Sequence, residues 1–253
     1  MMLKGKTAFI TGCNRGIGLA MLKEFIKNGA SVIAHARQET KEFKNKLLEL
    51  SLQLNNEDGQ FLDAIYFDLG QAEEVKSSIR EFMKKKQAVD ILVNNAGVVH
   101  NSLVHRSTLD ELEEIFQINV FAPFMLMQNF SRLMIKNGGG SIINISSIAG
   151  KDARFGRSIY CSSKAALIGL TESMSKELGG NNIRVNAIAP GIIKTDMIKL
   201  QDDDFVERCV EETDMRRQGL PTDVANTAVF LASDKSAFIS GQVIVVDGGL
   251  IRF

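Results

Sequence analysis

The 253-residue sequence predicts an α/β fold built on a doubly wound parallel sheet with helices on both faces, and three observations predict it. Seven short apolar runs recur along the chain with few polar residues inside them, as strands covered on both faces require. Amphipathic stretches of helical length stand between these runs. A glycine-rich turn separates the first run from the first such stretch. Right-handed crossovers joining these units give a single sheet of the Rossmann type.

The elements follow in order. "TAFIT" is the first strand, and the stretch from Gly16 to Asn28 is its crossover helix. "SVIAHA" is the second strand, followed by "KEFKNKLLELSLQLNNEDGQ", a polar helix and loop. "AIYFDL" then leads into a helix from Ala72 to Lys86, and "DILVNNAG" into one long helix from Leu109 to Lys136. "SIINISS", a helix from Ser158 to Leu178, and "IRVNAIAP" complete the fifth and sixth strands with their connection. Ile192 to Arg217 shows little periodicity beyond one short helix and reads as a lid, with the acidic run Asp202 to Asp204 capping that helix; "QVIVVDGG" is the last strand. No linker, low-complexity tract or 20 to 50 residue repeat interrupts the chain. One domain over 1–253 is expected, with a cofactor-binding part at about 1–145 and a catalytic and lid part at about 146–253.

Composition narrows the function. Thirty basic residues balance thirty acidic ones, so no global charge favours nucleic acid or an anionic membrane surface. The longest apolar run, "INVFAPFMLM", is about half the ~20 residues of a membrane span, and the start "MMLKGKTAFIT" is too short in apolar character for a leader. A cytoplasmic protein is expected. Three cysteines, Cys13, Cys161 and Cys209, are widely spaced and odd in number, so reduced thiols are expected rather than disulfides or a zinc site. The three histidines form no metal-type cluster either.

The turn "TGCNRGIG" places Gly12, Gly16 and Gly18, with Asn14, Arg15 and Ile17 between them, where a strand runs into a helix. Tolerant backbone, close approach and free N–H groups at a helix start are what a dinucleotide diphosphate needs. Taken alone, three glycines there also suit a purely structural turn. The end of the second strand sharpens the choice: "AHARQ" carries Arg37 and no acid from Ala34 to Gln38. An acid at that place would take a free ribose 2′-hydroxyl, whereas arginine takes a 2′-phosphate, and Arg15 is a second cation in reach. NADP(H) is therefore expected rather than NAD(H).

Tyr160 and Lys164 stand four residues apart near a helix start, so they share one face. A lysine ammonium beside a phenol stabilises tyrosinate and draws its pKa down from ~10 toward working pH, making a general acid for a reduced carbonyl. Ser147, at the carboxyl end of the fifth strand, can bond the same oxygen. An ordinary surface helix also carries such a pair; the strand-end serine and the upstream glycine turn favour the catalytic reading.

In this combination the chain resembles the short-chain dehydrogenase/reductase family, and within it the bacterial 3-oxoacyl-(acyl carrier protein) reductases, over essentially its whole length. "TGCNRGIG" is similar to that family's TGxxxGIG loop, "NNAG" at Asn94 to Gly97 to its strand end, and Asn119 in "FQINVFAPF" to its catalytic asparagine. Ser147 with Tyr160 and Lys164 matches its serine and YxxxK, and "PGIIKTDM" from Pro190 its nicotinamide-binding segment. The resemblance implies that Tyr160 protonates the carbonyl oxygen, Ser147 orients it, Lys164 holds the ribose hydroxyls, and Asn119 anchors a proton-refilling water chain. It implies that Asp68, with Leu69 beside it, meets the adenine; that Asn95, Ala96 and Gly97 line the cofactor; and that Pro190, Gly191, Ile193 and Thr195 meet the carboxamide end. Asn94 is expected to be a structural amide between strands.

The substrate implied first is a 3-oxoacyl thioester, with acyl carrier protein as a possible partner. The two basic positions that dock the carrier at the active-site mouth in that group fall here at Gly138 and Asn181, neither of them basic. Arg157 stands where the group often has glutamine, and with Lys151 and Arg154 it suggests a positive mouth and an anionic substrate, or merely a solvated loop. A sugar, polyol or sugar-nucleotide ketone is the alternative substrate, and a non-enzymatic NADP-sensing protein the third reading. By resemblance a homotetramer (or dimer) is expected, packed through the helices around Asn119 and Tyr160 and through the last strand; core packing accounts for "NVFAPFMLMQNF" equally well.

Overall fold

The computed structural model describes residues 1–54, 59–198 and 203–250. Asn55 to Asp58 of the polar loop, and Asp202 of the expected acidic cap, lie outside the described residues. Within the described residues seven strands form one parallel sheet: β1 (Thr7–Ile10), β2 (Ser31–Ala36), β3 (Leu62–Tyr66), β4 (Ile91–Asn94), β5 (Gly140–Ile145), β6 (Ile183–Pro190) and β7 (Val243–Val246), in the spatial order 3-2-1-4-5-6-7. Among the described residues eight α-helices accompany them: α1 (Gly16–Lys27), α2 (Lys41–Ser51), α3 (Ala72–Lys84), α4 (Leu109–Phe116), α5 (Ala122–Lys136), α6 (Ser158–Leu178), α7 (Asp203–Glu212) and α8 (Pro221–Ala232). No described helix is long and apolar enough to cross a membrane.

The central strands are apolar throughout because both faces are covered. On one face Ile10, Val93 and Ile188 pack with Met21 and Phe25 of α1 and Val229 of α8. On the other, Phe9, Leu92 and Val185 pack with Phe82 of α3, Phe130 of α5 and Leu167 of α6. Phe9 lies 4.7 Å from Phe130 and 5.6 Å from Phe82, centre to centre, within the range where aromatic pairs add to simple burial. The chain moves outward from β1 to β2 and β3, then returns to place β4 on the other side of β1. That reversal opens a crevice above the carboxyl ends of β1 and β4, where ligands of open α/β sheets bind.

Two differences from the predicted elements matter for the site. The expected strands "AIYFDL" and "DILVNNAG" stop at Tyr66 and Asn94, so Phe67 to Leu69 and Asn95 to Gly97 are freed as loops above the sheet. The expected long helix from Leu109 is broken by a π-helical turn, Gln117–Phe121, in which the Ala122 N–H bonds the Gln117 carbonyl. Pro123 is the reason: it has no N–H to give the Asn119 carbonyl in an α register, and its ring would press on that carbonyl.

Candidate active site

A cavity of about 500 Å³ occupies the crevice. Every residue singled out above for cofactor or catalysis lines it except Asn119, which sits just behind the wall.

The glycine turn is close-fitted. Gly12 has φ +71°, a conformation that favours glycine, and a Cβ on Gly18 would stand 2.0 Å from the Gly12 carbonyl oxygen and 2.5 Å from Asn95 Nδ2. Asn95 fixes the turn from the neighbouring strand: its Nδ2 donates to the Thr11 carbonyl at 2.8 Å, while the N–H groups of Asn95 and Ala96 donate to Thr11 Oγ1 at 2.9 and 3.0 Å. The start of α1 has no side-chain cap and no acid in its first turn. Its N–H groups and positive dipole end therefore suit a diphosphate, so the chain's residues fit a dinucleotide. Arg15 and Arg37 are exposed on the same wall. Asp68 Oδ1 accepts from the Gly70 N–H at 2.8 Å, which holds the freed loop after β3 in a tight turn.

His35, which the sequence did not single out, supports this turn from below. It is 2 % exposed; Nδ1 accepts from the Gly12 N–H at 3.3 Å and Nε2 donates to the Phe67 carbonyl at 2.9 Å. Those bonds require the neutral ring, and burial holds its pKa down at about 4. The unfolded chain therefore binds more protons than the folded one between that value and the ordinary histidine value of ~6.5. The resulting stability, on the order of 3 kcal/mol, is present above about pH 6.5 and lost as pH falls toward 4. Denaturant midpoints measured across that window should fall with acid in the native protein and much less in His35→Phe; equal slopes would remove His35 as the titrating group.

The second half of the site lies where β5 meets α6. The 3-10 turn Ile148–Gly150 begins at Ser147, whose Oγ accepts from the Ala149 N–H at 3.1 Å. This turn is held against α6 by Ser146 Oγ, which donates to the Lys164 carbonyl at 2.9 Å, and by Gly150, whose Cβ would meet α6 backbone at 2.8 Å. The Ser147 hydroxyl lies beside the Tyr160 phenol in the cavity wall and favours its ionised form. Lys164 is 4 % exposed and donates to the Ile145 carbonyl at 2.9 Å; burial lowers its pKa to about 8. Gly97 makes room for it, since a Cβ there would lie 3.2 Å from Nζ.

The expectation that Lys164 draws the phenol down is corrected here. Nζ stands 5.9 Å from the Tyr160 ring centre and is committed to Ile145, and burial pushes the Tyr160 pKa up. The groups pulling against burial are the Ser147 hydroxyl and, next, the charge of Arg157. Spacing placed the lysine on the right face, but the desolvation of a nearly buried phenol outweighs it.

Asn119 is also more committed than expected. Its Oδ1 accepts from the Val98 N–H and its Nδ2 donates to the Val98 carbonyl, each at 2.9 Å, and to Ser163 Oγ at 3.0 Å. The amide thus ties the loop after β4 to α6. Asn94 behaves as expected, donating to Asn144 Oδ1 at 2.8 Å between β4 and β5.

Of the three cations before Tyr160, Arg154 and Arg157 line the cavity, whereas Lys151 is exposed away from it. Arg157 lies over the Phe205 ring of α7 at 5.3 Å, and Phe205 and Cys209 of α7 close the cavity from above. Gly138 and Asn181 correct another expectation. Both precede parallel strands, so they lie at the amino edge of the sheet, roughly 20 Å along β5 from the cavity in the same chain.

Against known proteins, the family model described as enoyl-(acyl carrier protein) reductase, adh_short_C2, matches residues 12–251. The chain is 37% identical over 248 residues to the 3-oxoacyl-[acyl-carrier-protein] reductase FabG of Chlamydia pneumoniae, covering 98% of each. It is 38% identical over 249 residues to a 3alpha-hydroxysteroid dehydrogenase of Mediterraneibacter gnavus, again covering 98% of each. The solved structure of a gluconate 5-dehydrogenase from Burkholderia cenocepacia J2315, in complex with NADP and tartrate, superposes with a TM-score of 0.89 at 32% identity, covering 98% of this chain and 96% of that one. Fold, glycine turn and Ser147/Tyr160/Lys164 cavity agree with these similarities: the chain belongs to the short-chain dehydrogenase/reductase family of oxidoreductases.

Proposed function

We propose that this protein reduces a ketone to a secondary alcohol with NADPH, Tyr160 serving as the general acid. The observation that carries the reading is the meeting of Ser147, Tyr160 and buried Lys164 in one cavity with an uncapped helix start behind a glycine turn. When bound, the nicotinamide supplies hydride to the carbonyl carbon. Tyr160 gives its phenolic proton to the carbonyl oxygen, and the Ser147 hydroxyl beside it orients that oxygen. Lys164, braced by Ile145, holds the ribose hydroxyls. The Asn119 amide is spent on Val98 and Ser163, so a refilling water belongs on its main-chain carbonyl, which Pro123 cannot satisfy.

Arg37 and Arg15 at the 2′-position support NADPH over NADH, as does the NADP in the Burkholderia structure. Arg37→Asp should lower the preference for NADPH over NADH by at least about tenfold, the cost of one charge-assisted contact. An unchanged ratio of kcat/KM for the two cofactors would remove this assignment.

Two substrate classes follow. Similarity to FabG supports a 3-oxoacyl thioester, and the amino-edge location of Gly138 and Asn181 takes their lack of charge out of the argument within one protomer. A sugar-derived or otherwise small ketone is the second reading, favoured by Arg154 and Arg157 in the cavity wall. NADPH oxidation with an acetoacetyl thioester beside a keto-sugar panel separates the two. Assembly as a tetramer is part of the proposal: Phe121 and Phe124 turn outward at the start of α5, while Leu126, Met127 and Phe130 are core. Sedimentation of the purified protein at a monomer mass would exclude it.

A further inference from the structure

We infer that Phe205 of α7 limits the bulk of the groups on the reacting carbonyl, and that Arg157 is the residue that positions it. The inference rests on the carbonyl-reductase reading above and adds to it a determinant of which ketones fit.

Phe205 and Cys209 stand four residues apart on α7, so they share one face of that helix, and both line the cavity. A half-buried aromatic side chain on a lid helix ordinarily exchanges rotamers on a fast timescale. Here the ring is held. The Arg157 guanidinium lies over it, with Cζ 5.3 Å from the ring centre, inside the range of a cation–π contact. Arg157 is itself fixed through its backbone: it bridges Ser102 in parallel fashion, and the Ser102 N–H donates to the Gly156 carbonyl at 2.9 Å. The far end of α7 is tied down as well. Thr213 Oγ1 donates to the Cys209 carbonyl at 2.7 Å, and the Met215 N–H donates to the Gly248 carbonyl at 3.1 Å.

The stack stands beside the reacting centre. Arg157 is the residue before the first turn of α6 and precedes Tyr160 by three, and its charge reaches both the Tyr160 phenol and the Cys209 thiol. Ala149 and Val99, which pack with the phenol, line the same cavity. A substituent on a carbonyl held at Tyr160 therefore meets apolar atoms of Val99, Ala149, Phe205 and Cys209. Loose walls of this kind would yield to extra carbon, but a ring pinned by a guanidinium yields only by breaking the stack or shifting α7. Excess bulk is then opposed as overpacking is in a core. The cations of the loop before α6 are engaged in holding this wall and each other's neighbours, Arg157 on Phe205 and Arg154 on Asp152 at 3.0 Å.

The test uses the whole protein with NADPH and two ketone series of growing size. Symmetrical vicinal diketones, from diacetyl to its dipropyl homologue, add carbon on both sides of the carbonyl; 3-oxoacyl thioesters of increasing chain length add it on one. In the native protein kcat/KM is expected to fall by at least about tenfold across a series, the discrimination a pocket makes against excess carbon. Phe205→Ala should flatten that fall through the KM of the larger ketones, and Phe205→Leu should flatten it in part. Arg157→Gln should flatten it with the ring still present, while Arg157→Lys, which keeps a cation over the ring, restores most of it. The ratio of large to small ketone is the quantity read, because the Arg157 charge on the phenol acts on every ketone alike and cancels. NADPH binding to each variant, read by fluorescence, shows that the fold is intact, and α6 has no side-chain cap at Arg157 to lose. A native protein indifferent to size, or a fall that Phe205→Ala leaves unchanged, overturns the inference and leaves the carbonyl-reductase reading standing. A fall flattened by Phe205→Ala but not by Arg157→Gln overturns the positioning role of Arg157. A protein that binds NADPH but reduces none of the ketones overturns both readings.

Discussion

Replacing Tyr160 by phenylalanine should leave NADPH binding within a fewfold of native and reduce turnover by about 10²–10⁴, the range for removal of a positioned general acid. The substitution deletes one oxygen from a side chain that is 8 % exposed and packs against Ala149. The cavity wall and the Lys164 bond to Ile145 are untouched by it. Cofactor titration and single-turnover NADPH oxidation on the same preparation separate binding from chemistry. Unchanged turnover would transfer the acid role elsewhere and sink the mechanism. The native pH profile carries a second expectation. Burial raises the phenol pKa, so the acid form persists through neutrality and the reductive rate should decline only on the alkaline side. A decline on the acid side alone would assign the limiting titration to another group.

Gly18→Ala should be the most damaging single methyl in the chain. The added Cβ would stand 2.0 Å from the Gly12 carbonyl oxygen and 2.5 Å from Asn95 Nδ2, so the turn backbone and the amide that fixes it must both move. Overpacking of this kind costs about 3 kcal/mol, on the order of 10 °C in Tm for a chain this long. The moved atoms are those that shape the diphosphate cradle, so the NADPH Kd should rise by at least about 100-fold. Gly169→Ala is the control: that glycine lies inside α6 with nothing within 4 Å of the added methyl, and the change should stabilise by about 0.5–1 kcal/mol. Native-like cofactor affinity in Gly18→Ala would mean that the turn does not hold the diphosphate.

Much of this site was legible in the sequence because its parts lie at short range. The glycine turn is one uninterrupted stretch, and strand-end Ser147 and the Tyr160 to Lys164 spacing each follow from one strand or one helical turn. Such signals need only backbone periodicity and local sterics. His35 was not legible, because its role depends on Gly12 and Phe67, 23 and 32 residues away, meeting its two ring nitrogens. The π turn at Asn119 could have been suspected from Pro123, but the engagement of the amide by Val98 and Ser163 could not.

Apolar periodicity and residue chemistry, both readable along the chain, fixed the succession of strands and helices, the parallel sheet and the place of the glycine turn, and they singled out Ser147, Tyr160 and Lys164 as candidates. Only the tertiary structure decided how those groups behave. Desolvation, charge and hydrogen bonding act through space, so burial raises Tyr160, lowers Lys164 and keeps His35 neutral. The same long-range packing put Arg154 and Arg157 in the cavity and left Lys151 outside it. It also moved Gly138 and Asn181 to the opposite edge of the sheet, because parallel strands carry their two ends to opposite sides of the molecule.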